Sequence, residues 1–99
     1  MDLGSAIKNA RKQKDIKQNA FAELCGISPT YLSQIENNIK EPALATLELI
    51  AKKLEMPLPI LFFMALDQND ISPEKQSAYK LLMPSVQSML KEFFIPKMA

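Results

Sequence analysis

The sequence predicts an all-α protein: five short helices in one small domain, then a C-terminal helical segment. Three observations carry that expectation. Apolar residues recur at three- and four-residue spacing through most of the 99 residues. β-Branched residues are sparse and never alternate with polar ones, as a half-buried strand requires. Gly26, Pro29, Pro57 and Pro73 fall at the joints between periodic stretches, where helices start and stop.

Leu3, Ala6, Ile7 and Ala10 mark one stripe of a first helix over about 2–14, with Asp2 placed to cap its start. A second helix, about 18–25, is expected to carry Phe21, Leu24 and Cys25 inward and to stop at Gly26, which accepts a left-handed backbone. Ser28 then offers a hydroxyl cap ahead of Pro29, whose missing N–H costs nothing at a first helical position. The third helix runs to about Asn37, burying Leu32 and Ile35, with Asn38 as a left-handed terminator. Leu44, Leu47, Ile50, Ala51 and Leu54 define a fourth helix stopped by Pro57, and Pro59 opens a fifth, to about Leu66. Residues 67–72 read as a polar linker. Ser72, Pro73 and Glu74 repeat a helix-start signature. The last segment aligns Tyr79, Leu82, Met83, Val86, Met89, Leu90 and Phe93, with Pro84 either kinking or dividing it.

Composition sets the function classes. With 47% hydrophobic and 23% charged residues the chain is globular. The longest apolar run, residues 60–66, is far short of the ~20 residues that span a bilayer, and no cleavable apolar leader opens the sequence, so a cytoplasmic protein without membrane contact is expected. A single cysteine, Cys25, forms no internal disulfide, and the absence of histidine removes the usual zinc, triad and imidazole-base arrangements. No metal, cofactor or enzymatic centre is expected. Net charge is +1, but five basic residues lie between Lys8 and Lys17 against one acid, Asp15. Alone, that run reads as a solvated helix face.

Two helices joined by a tight glycine turn, the second polar in front and apolar behind, make the helix-turn-helix arrangement, which presents its second helix to the DNA major groove. Here the sequence closely resembles the Cro and phage-repressor type of helix-turn-helix proteins, often called the XRE family. The matching residues are Gln18, Ala22, Gly26, Ile27, Ser28, Tyr31, Leu32, Ser33, Ile35, Glu36, Asn37, Pro42, Leu47 and the run Ile50-Ala51-Lys52-Lys53-Leu54. They span about residues 3–62 and imply a λ-repressor-like five-helix domain, residues 1–66, followed by an extension, 67–99.

The resemblance implies roles by position. Gln18, with the free N–H groups opening the second helix, matches the family's phosphate grip. Ser28, Pro29, Thr30, Ser33 and Gln34 lie at or beside the positions facing base edges, and Asn37, Asn38 and Lys40 lie near the DNA backbone. Gln34 is the leading base reader, since its amide donates and accepts together, matching the adenine edge. Tyr31 either packs on the second helix or aims its hydroxyl at a phosphate. Arg11 and Glu36 match a structural ion pair that neutralises an acid on the reading helix; a phosphate contact by Arg11 is secondary. Three residues depart from the pattern: Lys17 replaces a hydroxyl cap, Pro29 removes a base-reading side chain, and Glu55 stands where glycine often ends the fourth helix.

Residues 59–66 are apolar on every side and cannot all be buried in their own domain. Phe62, Phe63, Leu66, Tyr79, Leu82, Val86, Met89, Leu90 and Phe93 are therefore the expected interface of a homodimer, which would place two reading helices on adjacent half-sites. Met83, Met89 and Met98 also suit an additional protein partner. The expected function is sequence-specific, dimeric repression through double-stranded DNA. The competing reading is a protein-interaction module, antitoxin-like, that binds a partner through its C-terminal apolar segments.

Overall fold

The computed structural model describes residues 1–94; Met98 lies outside them. Six α-helices form: α1 Leu3–Gln13, α2 Gln18–Leu24, α3 Pro29–Glu36, α4 Leu44–Lys53, α5 Leu58–Ala65 and α6 Gln76–Phe94. No strand occurs among the described residues. The core is one cluster built from one face of each of the first five helices, with Phe21, Ile7, Leu32, Ile35, Ile50, Leu54 and Leu61 fully enclosed.

Four helices end by one device. A residue just past the cap turns left-handed: Asp15 at φ 57°, Gly26 at 67°, Asn38 at 58° and Glu55 at 57°. The N–H of the following residue then reaches back to an orphan carbonyl: Ile16 to Arg11, Ile27 to Ala22, Ile39 to Gln34 and Met56 to Ala51. This is the Schellman closure, usually completed by packing of that following apolar residue. Met56 is buried, and Ile16 and Ile27 pack against the core. Ile39, at the end of α3, is instead exposed. Glu55, not Pro57, therefore ends α4, two residues before the proline.

The starts follow side chains. The Asp2 carboxylate accepts from Ser5 N–H at 3.1 Å and the Ser28 hydroxyl from Tyr31 N–H at 3.0 Å, so both expected caps form. Helix α2 carries Phe21, Ala22 and Cys25 inward, whereas Leu24, expected in the core, points to solvent. On so short a helix Phe21, Ala22 and Cys25 already fill the inward arc, and Leu24 lies outside it.

Two features of the C-terminal half differ from the sequence reading. Residues 67–72 are no featureless linker: Gln68–Asp70 form a 3₁₀ turn closed by a capping box between Asp67 and Asp70, and the Met1 ammonium sits 2.7 Å from Asp70. Pro73–Lys75 make a second such turn leading into α6. Pro84 does not divide α6, which continues through it for 19 residues. Helix α6 lies against α5 and the two turns, anchored by the Tyr79 hydroxyl donating to the Leu66 carbonyl at 3.0 Å.

Candidate nucleic-acid interface

The apolar back of α3, Leu32 and Ile35, is buried, and this fixes what the opposite side shows. Ser28, Pro29, Thr30 and Asn37 are exposed, Ser33 and Gln34 half-buried, and Lys40 exposed just beyond the helix. The side chains of Thr30 and Gln34 make no hydrogen bond to the described residues, so their donors and acceptors face water. Asn37 differs: its amide donates to the Ser33 carbonyl at 2.9 Å, which steadies its side chain along the helix end. The polar face of α3 is thus an outward surface held by an apolar anchor.

An acid in that helix needs neutralising, and the geometry supplies it. Arg11 Nε donates to Glu36 Oε2 at 2.7 Å and Nη2 to Oε1 at 3.0 Å. Nη1 donates to the Ile16 carbonyl at 2.8 Å. The two side chains are only 8% and 1% exposed, where such paired bonds are strong and directional. Gln18 Nε2 adds a third bond to Glu36 Oε1, at 3.0 Å. The pair therefore binds α1, the start of α2 and the end of α3 into one unit. It also encloses the Arg11 guanidinium, so the secondary reading of Arg11 as a phosphate contact does not fit. Gln18 has one amide hydrogen committed inward. At the start of α2, Lys17 provides no side-chain cap.

A second polar unit lies at the other end of α3. Asn38 Nδ2 donates to Asp2 Oδ1 at 2.7 Å, and Asn38 Oδ1 accepts from Gly4 N–H at 2.9 Å. Asn38 therefore fastens α1 onto α3, and its amide is largely taken up within the protein. Hydrogen bonding from Asn38, then from Ser5, holds the Asp2 carboxyl below its ordinary range. Gly4 makes this approach possible. A Cβ there would lie 2.5 Å from the Glu36 carbonyl oxygen and 2.6 Å from that of Ile35.

Comparison with known proteins follows these features. The helix-turn-helix family model matches residues 7–61, more than half of the chain. The chain belongs to the helix-turn-helix family. It is 44% identical over 59 residues to the ImmF control region 10 kDa protein of Bacillus phage phi105, covering 60% of this chain and 66% of that one. It is 30% identical over 79 residues to the immunity repressor protein of the same phage, covering 80% and 52%. The aligned stretch thus spans about two thirds and about half of these relatives. Among solved structures, the clp gene regulator ClgR from Corynebacterium glutamicum superposes with a TM-score of 0.64 at 22% identity, over 91% of this chain and 87% of that one. This last likeness is one of fold.

For a helix-turn-helix protein the informative surprises lie behind α3. Tyr31 is half-buried against the core, which favours its packing role. Gly4 carries the α1–α3 junction with Asp2, which was expected only as a helix cap, and no motif marks Gly4. The one available signal was a glycine in the first turn of a helix that lacks any propensity reason for it. Cys25 is buried, and burial pushes its thiol upward, away from reactivity.

The residues expected at a dimer interface separate into two groups. Phe62, Leu66, Tyr79, Val86 and Leu90 are half-buried, with Phe62 packed on the core of its own chain. Phe63, Leu82, Met89 and Phe93 remain exposed. No helix among the described residues is long and apolar enough to cross a membrane, and no group of metal-binding side chains occurs among them.

Proposed function

We propose that the chain is a sequence-specific DNA-binding transcriptional regulator, a dimeric repressor acting in the cytoplasm on a palindromic operator. Residues 1–66 form the reading unit and 67–99 the assembly extension. The observation that carries this reading is the outward polar face of α3, on which Thr30 and Gln34 have no hydrogen-bond partner among the described residues, braced from behind by the buried Arg11–Glu36–Gln18 unit. In the major groove Gln34 reads an adenine edge through its amide, and Thr30 and Ser33 offer hydroxyls. Lys17, Lys40 and the second amide hydrogen of Gln18 meet phosphates, positioning the helix without specifying sequence. Pro29 opens the helix but reads no base by hydrogen bond. Asn38 acts indirectly, by holding α1 against the reading helix. The names of the phage relatives, an immunity repressor among them, support repression over activation.

Selection of binding sites from a random duplex pool tests this. The expected product is a palindrome with half-sites about 10 base pairs apart, bound with an affinity that falls steeply with salt as counterions are released. If no duplex is preferred over random sequence at moderate salt, the protein-interaction reading replaces this one.

A further inference from the structure

Helix α6 carries two apolar rows, and the chain itself uses one. Met83, Leu90 and Phe94, with Gln87 between them, recur at four- and three-residue spacing and face the body: Met83 is buried and the others half-buried. One residue earlier, about 100° around the axis, stand Leu82, Met89 and Phe93, exposed by 61%, 55% and 75%. With Val86 they form a row at 82, 86, 89 and 93. That alternation of four and three is the seam along which two helices pack side by side.

Nothing polar interrupts this row. Pro84 lies about 200° from Leu82 by helix geometry, so its ring and the backbone bond it removes fall away from the seam. The row extends over about 17 Å of helix with no polar side chain in it to orient a small ligand. Repeated on two chains, it is self-complementary about a two-fold axis.

We infer that the occupant is a second copy of this chain, whose α6 packs its own 82–86–89–93 row against this one. This rests on the dimeric reading above and narrows it: Phe62, Tyr79 and Leu90 serve the fold of each chain, while Leu82, Met89 and Phe93 serve assembly. An aromatic side chain such as Phe93 buries ~150–250 Å² when covered, which is an upper bound for the smaller Leu82, Val86 and Met89. The partly exposed row thus contributes about 500 Å² per copy. The sum, about 1,000 Å², sits at the lower limit for a specific interface. An interface of that size is weak and reversible in free solution. Two adjacent half-sites then raise the effective concentration and complete assembly on DNA.

Sedimentation of the full chain across a wide concentration range tests the seam, using wild type, Met89→Glu, the milder Leu82→Gln, and Leu81→Glu. Leu81 is 78% exposed but outside the row, so it controls for general stickiness. Circular dichroism confirms that each variant is folded. The expected result is a monomer–dimer midpoint for wild type that Leu81→Glu leaves in place, and that Met89→Glu and Leu82→Gln move at least tenfold higher in concentration. A wild-type dimer that survives both row substitutions overturns the seam but leaves the dimeric reading standing. Equal weakening by Leu81→Glu also overturns it. A wild type that stays monomeric both free and on its selected operator removes the dimeric reading and the seam together.

Discussion

Gly4→Ala sets two physical effects against each other at one methyl group. Helix propensity favours alanine over glycine by up to ~1 kcal/mol, and restricting the unfolded chain adds in the same direction. By that reasoning the substitution stabilises. Sterics oppose it, because the new Cβ would lie 2.5 and 2.6 Å from the Glu36 and Ile35 carbonyl oxygens, where 3.4 Å is ordinary contact. Helix α1 would have to withdraw by most of an ångström. Its neighbours there are backbone atoms of the last turn of α3, which cannot swing aside. Withdrawal also stretches the Gly4 N–H bond to Asn38 and loads the Arg11–Glu36 pair, which joins the same two helices. Overpacking of this kind costs ~1–3 kcal/mol, and two backbone contacts under 3.0 Å put this site in the upper half of that range, so after ~1 kcal/mol of favourable propensity the net expectation is a loss of ~1–2 kcal/mol. For a domain of this size each kcal/mol moves Tm by about 4–8 °C. Thermal and urea unfolding followed by circular dichroism should show Gly4→Ala melting lower by roughly 4–16 °C. A variant as stable as wild type, or more stable, would refute the close approach of α1 to α3.

Removing one member of the buried pair, as in Arg11→Ala, strands the Glu36 carboxylate and should cost ~3–5 kcal/mol. Replacing both, as in Arg11→Met with Glu36→Leu, should recover most of that loss, and a double-mutant cycle by urea unfolding reads the difference. Asp2 predicts a pH dependence of definite sign. Its folded pKa lies below the reference value of 3.8, so its contribution is complete above that pH and is lost as pH falls through the folded value. Wild-type stability should drop more steeply than that of Asp2→Asn below about pH 4; superimposable curves would remove Asp2 from the α1–α3 junction.

Local signals made the first half of the fold legible. Ser28-Pro29 and Gly26 mark real boundaries because each acts through its own backbone, and the Leu32–Ile35 stripe tells which side of α3 is outward. Errors arose where tertiary context decides. Pro57 is a conspicuous breaker, yet α4 had already closed at Glu55, because a left-handed residue followed by a buried methionine satisfies the end carbonyls first. The linker reading of residues 67–72 missed that Asp67 and Asp70 cap a turn facing the Met1 ammonium, a contact between residues 69 positions apart. The apolar residues of α6 looked like one broad face. Only the position of the body separates the row that packs at home from the row that does not. At the site, the surface positions of α3 followed from the motif, while the contact of Asn38 with Gly4 and Asp2 did not, since it joins residues more than thirty positions apart.

The account turns on whether the outward face of α3 distinguishes bases, and Gln34→Ala measures this most directly. Its affinity should be compared with wild type on the selected operator and on random duplex at the same salt. Losing one amide–adenine pairing, ~1–3 kcal/mol, should weaken operator binding roughly 5- to 150-fold per half-site while leaving random-duplex affinity unchanged. Equal affinities of the two proteins for the operator, or a parallel loss on both duplexes, would contradict base reading by this helix.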